Sequence, residues 1–364
     1  MEKILLKGGG FRKKKFKTNL KRKKLKMMTI NYNFVIKLSL PIFIILSVIF
    51  IYLKRQLPIK KKRSNQILKI NNNNKNNNNN TSYFACFCAM AREENKYAIE
   101  LISYYSKLGI EKFIFGDNNL NGTEKLSDVL QVYIDKGIVD IFELFGSSMG
   151  QAEFNQFIYE KYKTKCNWFL FFDFDEYLEV HFENNVPLVL QDFLTNKTFD
   201  KCETILFNWL MYTDNDLIYY DNRPMIERFT SANYEDFGNT YVKSIVRGGL
   251  NKTIFYPKKS SHVPDKNIVI CNSIGTILTQ YNPFNIRPPI YKYGCLKHFA
   301  TKSAEEHVQK TKRGTNRNIP YNIEDRIKLY FRINKFSKEK LKYFEKAFNR
   351  SLYRITDGLR EEGD

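Results

Sequence analysis

The chain has 364 residues, and its 59 Lys/Arg against 38 Asp/Glu give a formal net charge of +21, the kind of excess that nucleic-acid binders carry. The excess is confined to one end: residues 1–75 hold 21 Lys/Arg and a single acid, Glu2, which leaves 38 basic and 37 acidic residues in 76–364. A body this close to neutral has no phosphate-binding surplus, so no nucleic-acid partner is expected, and its length suits one large domain or two small ones.

In chain order, a basic tail over 1–33 contains "FRKKKFKTNLKRKKLK" and leads into the apolar run "FVIKLSLPIFIILSVIFIYL", residues 34–53. Twenty residues of helix rise about 30 Å, the thickness of a bilayer's hydrocarbon core, and the lone Lys37 lies near one end where its stem reaches the headgroups. Twelve Lys/Arg precede the run before residue 27, against six between Lys54 and Arg63, so the tail is expected in the cytosol and the body in a lumen. That makes a single-pass type II protein of the Golgi or ER membrane. A cleaved signal peptide is the rival, but no small-x-small site follows promptly. Residues 54–82 hold "NNNNKNNNNN", which cannot bury apolar surface and is expected to be a disordered stalk.

The globular domain is expected over 83–335. "YFACFCAM" lacks helical periodicity and suits a buried strand; "EENKYAIELISYYSKLG" puts Ile99, Ile102, Tyr105 and Leu108 on one helical face, with Gly109 as the stop. "EKFIFGD" suits a strand, "NNLNGT" a turn, "EKLSDVLQVYIDKG" a helix, "VDIFELF" a strand, "GQAEFNQFIYEKYKT" a helix and "NWFLFFD" a strand. Strands alternating with such helices predict an α/β fold with a mainly parallel sheet flanked by helices, whose ligands gather at the strands' carboxyl ends. Further strands are expected at "ETILFNWLMY" and "YVKSIVR", and a charged helix, "KEKLKYFEKAFNRSLYRI", in a closing segment over 336–364. The six cysteines are even in number and lack zinc-type spacing; they permit disulfides without demanding them. Six sequons (Asn79, Asn80, Asn121, Asn196, Asn251 and Asn349) agree weakly with a lumen.

The chemistry centres on "NWFLFFDFDEYLEV", where an apolar strand runs into Asp173, Asp175 and Glu176. A buried unpaired carboxylate costs several kcal/mol, so a partner cation is required. If the strand stays extended, Asp173 and Asp175 share a face. Their hard oxygens suit Mg²⁺ or Mn²⁺ with positions left for diphosphate oxygens; with a nucleotide-sugar, such a metal would neutralise the leaving diphosphate. A solvated acidic loop is the bland alternative.

"AREENKYAIELISYYSKLGIEKFIFGDNN", Gln151, "WFLFFDFDEYLEV", "MIERF" and "LKHFATKSAEEHVQKTKRG" occur in an order that resembles glycosyltransferase family 92 and the family-2-like group, from about Tyr83 to Arg317. The resemblance implies a GT-A, Rossmann-like fold and a metal-dependent, inverting transfer from a nucleotide-sugar to a hydroxyl of a glycan, glycoprotein or glycolipid. It places Arg92 and Glu94 in a nucleotide-contacting loop and Asp117 as a base or ribose contact. It implies that Asp173 and Asp175 hold the metal, with Asp173 also at the donor. His298 is a third ligand or a phosphate donor, or else a packed core residue; His262 has a weaker case. Glu227 in "MIERF" is the candidate general base, with Asp214, Asp216 and Asp236 as competitors. Lys302, Lys310, Lys312 and Arg313 resemble a basic segment that clamps the diphosphate, Lys310 and Arg313 above all. Leu101 and Tyr105 stand where relatives carry Trp and His, changes expected to alter packing. Asp175→Asn is expected to abolish transfer with little change in thermal midpoint. The alternatives are an inactive carbohydrate-binding or scaffold protein of the same fold, or a glycoside hydrolase.

Overall fold

The protein is described here by a computed structural model covering residues 82–352, apart from 121, 146–148, 183–185, 257–258, 263, 266, 280–286, 316 and 318. The chain divides into two compact units, Met1–Asn78 and Asn79–Asp364, and the architecture is that of the second. The expected tail (1–33), membrane span (34–53) and nearly all of the stalk lie outside the described residues, among which no helix is long and apolar enough to cross a membrane.

The first half alternates as its periodicity predicts: β1 (Tyr83–Ala91), α1 (Asn95–Leu108), β2 (Lys112–Asp117), α2 (Leu126–Asp135), β3 (Val139–Glu143), α3 (Gln151–Tyr162) and β4 (Cys166–Phe171). These four strands are parallel and lie in the order β3-β2-β1-β4. Because α1 and α2 carry the chain one way from β1 and α3 carries it the other, the strand order reverses between β1 and β4. A crevice opens at such a reversal, outside the carboxyl ends of the strands. Side chains of β1 alternate between the two faces of the sheet: Phe87 and Ala89 join one apolar cluster, Cys86, Cys88 and Met90 the other.

The second half departs from the mainly parallel expectation. It adds β5 (Glu176–Val180), α4 (Leu190–Leu194), β6 (Thr204–Met211), α5 (Met225–Arg228), β7 (Val242–Arg247), β8 (Ile270–Asn272) and β9 (Gly294–His298). The sheet continues from β4 as β7-β6-β9-β5, with β8 beside β6; β7 runs antiparallel to both β4 and β6, and β9 antiparallel to β5. The sheet is therefore mixed. Three helices follow: α6 (Ala304–Arg313), α7 (Ile323–Ile333) and α8 (Lys338–Phe348). The last is shorter than expected because Asn349 takes a left-handed conformation (φ 49°) and closes it; residues 353–364 lie outside the described ones.

Helix α1 is rotated from its expected face. Tyr97, Ala98, Leu101, Ile102 and Tyr105 are buried, whereas Ile99 is 52% exposed. Tyr105 fixes the rotation: its hydroxyl donates to the Glu176 carbonyl at 2.7 Å and accepts from the Leu178 N–H at 3.0 Å. A buried hydroxyl must be satisfied, and here the requirement pins α1 to the start of β5, directly behind the acidic segment. Disulfides join Cys86 to Cys166 and Cys202 to Cys271, while Cys88 and Cys295 are free and buried.

Candidate active site

At the exit of β4 the chain does not stay extended. It turns over 172–175, with the Glu176 N–H donating to the Asp173 carbonyl at 3.2 Å. Phe174 goes into the core, where its ring lies 5.0 Å from that of Phe115, and the turn sends Asp173 and Asp175 outward to one cleft. The expected shared face is reached by a turn anchored on a buried aromatic ring.

Each carboxylate meets lysines. Lys243, the second residue of β7, is fully buried; its Nζ donates to Asp173 Oδ2 at 2.8 Å and lies 3.4 Å from Glu176 Oε2. Lys310 from α6 donates to Asp175 Oδ2 at 2.6 Å, and Lys302, just before α6, approaches the same oxygen at 3.3 Å. Burial alone would raise both carboxyls. Lys302 and Lys310 outweigh it at Asp175 and hold that group well below the usual carboxylate value, and Lys243 does the same, less strongly, at Asp173. Glu176 has no exclusive cation, and its burial pushes it up to about 8. Gln151, at the start of α3, donates to Asp173 Oδ1 and accepts from Ser261 at 3.0 Å. The Asp173 side chain keeps 34% of its surface exposed, against 4% for Asp175.

The cleft holds about 620 Å³. It gathers seven of the residues singled out in the sequence: Arg92, Glu94, Asp173, Asp175, His298, Lys310 and Arg313. Arg92 and Glu94 flank Glu93, whose left-handed backbone (φ 53°) turns the exit of β1 into the cleft. Arg313 pairs with Glu94 and also donates to the Arg92 carbonyl. Desolvation drives the His298 imidazole down to about 3, so it is neutral. Its Nε2 is 3.7 Å from Asp175 Oδ1, its Nδ1 is buried without a partner among the described residues, and its ring packs at a tilt against Trp209, 4.2 Å between centroids. His262 is likewise driven to about 3 by burial and packs against Trp209 at 5.3 Å.

Two of the expected site residues lie outside this cleft. Asp117 is buried and does not line the cleft: its carboxylate accepts the N–H of Leu126 at 2.7 Å and of Asn119 at 3.1 Å. It satisfies an orphan donor in the first turn of α2, a structural duty that explains an acid at this strand end. Glu227 is exposed and outside the cleft, because α5 turns Met225 and Arg228 inward. Of its competitors, Asp214 and Asp216 pair with Lys340 at 2.7 and 2.9 Å, and Asp236 with Arg332 at 2.9 Å. Lys312 is exposed on the far side of α6.

Several site residues escaped the sequence reading. Lys243 carried a signal: a lysine in the apolar strand "YVKSIVR" must find an acid. Arg326, Leu329 and Arg332 recur at intervals of three on α7 and line the cleft together. The Nε and Nη2 of Arg326 are buried without hydrogen-bond partners among the described residues, and its guanidinium lies 4.8 Å from the Tyr321 ring. The described lining holds six cationic side chains, Arg92, Lys310, Arg313, Arg317, Arg326 and Arg332, against three acids, Glu94, Asp173 and Asp175. Such a surplus around a buried guanidinium selects for an anion.

The donor set can be tested against a divalent cation. Among the described residues no group of three or more His, Cys, Asp or Glu could hold a metal ion by itself. Two carboxylates with a neutral imidazole nearby do fit Mg²⁺ or Mn²⁺, which keep most of their shell for water and substrate phosphates.

No curated protein matches the chain. Among solved structures it is similar to S. aureus TarS, at 13% identity and TM-score 0.34 over 72% of this chain and 49% of that one, so the match spans about half of TarS. Against TarS 1–349 the identity is again 13% and the TM-score 0.32, over 77% of this chain and 75% of that one. The family model of glycosyltransferase family 92 matches residues 81–350, a span that begins just before β1, takes in both aspartates, and ends beyond α8. An anion-selecting cleft at the strand reversal, with paired aspartates at its centre, thus sits within that match, and the chain belongs to glycosyltransferase family 92.

Proposed function

We propose that this glycosyltransferase uses a nucleoside diphosphate sugar, such as a UDP- or GDP-sugar, and transfers the sugar with inversion to a hydroxyl of a glycan, glycoprotein or glycolipid. The observation that carries this reading is the cleft's charge: even with Arg332 neutralised by Asp236, five cations line it against three acids, all three of them already in ion pairs. A diphosphate supplies the missing negative charge. Arg326 is placed to donate its unused N–H groups to the phosphates, with Lys310 and Arg313 beside it. Asp173 and Asp175 would hold Mn²⁺ or Mg²⁺, which supplies Lewis-acid neutralisation of the leaving diphosphate. Lys243 and Gln151 orient Asp173, and Lys302 and Lys310 keep Asp175 ionised. The site is proposed to lie in the lumen of the Golgi or ER behind a type II anchor; two disulfides and the exposed sequon residues Asn251 and Asn349 support an oxidising, glycosylating compartment.

The test is release of nucleoside diphosphate by the full-length protein from a panel of nucleotide-sugars, with Mn²⁺, with Mg²⁺ and with EDTA. Turnover of one donor, lost with EDTA, is expected, and product NMR should show an inverted anomeric centre. No turnover of any donor overturns the reading, and full activity in EDTA overturns its metal.

A further inference from the structure

The cleft has a second end that the diphosphate does not explain. Trp209 from β6, Tyr241 just before β7, and Phe237 from the short 3₁₀ turn Phe237–Thr240 line it together, with ring centroids 5.4 Å apart for Trp209–Tyr241 and 6.5 Å for Phe237–Tyr241. Phe237 is 51% exposed although the Arg332 guanidinium covers one side of its ring at 4.0 Å. The α7 helix joins the two ends of the cleft. Arg326 stands at the cationic end and Arg332 at the aromatic end, six residues and about 9 Å of helix apart. Another cavity of about 320 Å³ shares Glu94, Lys310 and Arg313 with the cleft and is lined by Asn95, Tyr97 and Asn119 near the exits of β1 and β2, which offers a separate place for the nucleoside.

We infer that Phe237, Tyr241 and Trp209 form the acceptor subsite and bind a neutral pyranose of the acceptor glycan by stacking. A pyranose presents a C–H face to an aromatic ring and an edge of hydroxyls to polar groups, and the wall offers both kinds of partner, three rings bordered by a tyrosine hydroxyl and Arg332. Arg332 is neutralised by Asp236, so the wall itself does not ask for an anionic sugar. The separation along α7 leaves room for the donor sugar between phosphate and acceptor. The inference rests on the transferase reading, but its binding arm can be tested without turnover.

The chain has two tryptophans: Trp168 is buried in β4, and Trp209 is in the wall, so a ligand-induced change in tryptophan emission reports Trp209. Full-length protein is titrated with methyl glucoside, methyl galactoside, methyl mannoside and methyl N-acetylglucosaminide, and separately with uridine and guanosine. A saturable response to at least one pyranoside is expected, lost in Phe237→Ala and kept in Phe237→Tyr. In turnover, Phe237→Ala should raise the acceptor KM about 3–10-fold while the donor KM moves by less than about two-fold. A response to nucleosides alone would make the wall a base site, and equal rises in both KM values would make it a donor-sugar site; either overturns the proposal, as does no pyranoside response. If no donor is turned over, the transferase reading falls while the emission titration still decides the wall.

Discussion

Removing the Asp175 carboxylate would leave Lys302 and Lys310 buried without their shared partner, so Asp175→Asn should lose about 3–5 kcal/mol of stability as well as activity. The sequence-based expectation of an unchanged thermal midpoint is therefore replaced. Asp173→Asn is the cleaner probe: its side chain is partly exposed, and Lys243 keeps Glu176. It should abolish donor turnover at a cost of about 1–2 kcal/mol in a denaturant titration. Arg326→Met should do the reverse of Asp175→Asn. Deleting unpartnered buried donors should leave the ligand-free protein as stable or more so, while the donor KM rises about 10–100-fold. A fourth residue gives a pH signature. Burial would raise Glu306, but Arg228 at 2.8 Å, Tyr97 and Ser303 outweigh it and hold the carboxyl below its ordinary value of 4.5. A depressed carboxyl binds protons less tightly in the folded state, so its stabilisation is present above pH 4.5 and lost as pH falls through the lower folded value. Glu306→Gln should be less stable than wild type at pH 7, and the gap in unfolding free energy should narrow below pH 4.5.

Among the elements, the turn at 172–175 and helix α7 do most to shape the site. The apolar run "NWFLFFD" located β4, but a strand exit of large apolar residues does not announce where it bends; that is decided by Phe174 finding Phe115. The α7 face made of Arg326, Leu329 and Arg332 is polar in its sequence and was not singled out, since only the sheet beneath it makes those side chains a wall. The bond between Cys86 and Cys166 ties β1 to β4 on the two sides of the strand reversal. The bonded residues are 80 apart in sequence, so replacing both by Ser should lower stability by about 4 kcal/mol, measured as the shift in denaturant midpoint. A midpoint that does not move would show that the packing of β1 on β4 holds the crevice unaided.

For the whole molecule, the partition of charge argues for topology. A tail of net +20 next to an apolar run, and a body near neutrality, predict that in microsomes a protease will remove the tail and leave residues 82–352 protected until detergent is added. Digestion of the body without detergent would place it in the cytosol and refute the type II arrangement. The body itself is one sheet that changes character at β7: parallel where it forms the crevice, mixed where it builds the cleft's far wall.

The sequence by itself determined the alternating strands and helices through β4, the Asp173–Asp175 pair, the basic segment around Lys310 and Arg313, and the family, because hydrophobic period and contiguous motifs are local properties. Only the tertiary structure decided that Asp117 caps a helix, that Glu227 faces solvent, that Lys243 and Arg326 belong to the site, and that aromatic rings from β6, a 3₁₀ turn and the residue just before β7 form one surface. Such roles depend on which burial demands the folded chain meets, as Lys243 meets that of Asp173 from 70 positions away, and no local pattern records such a pairing.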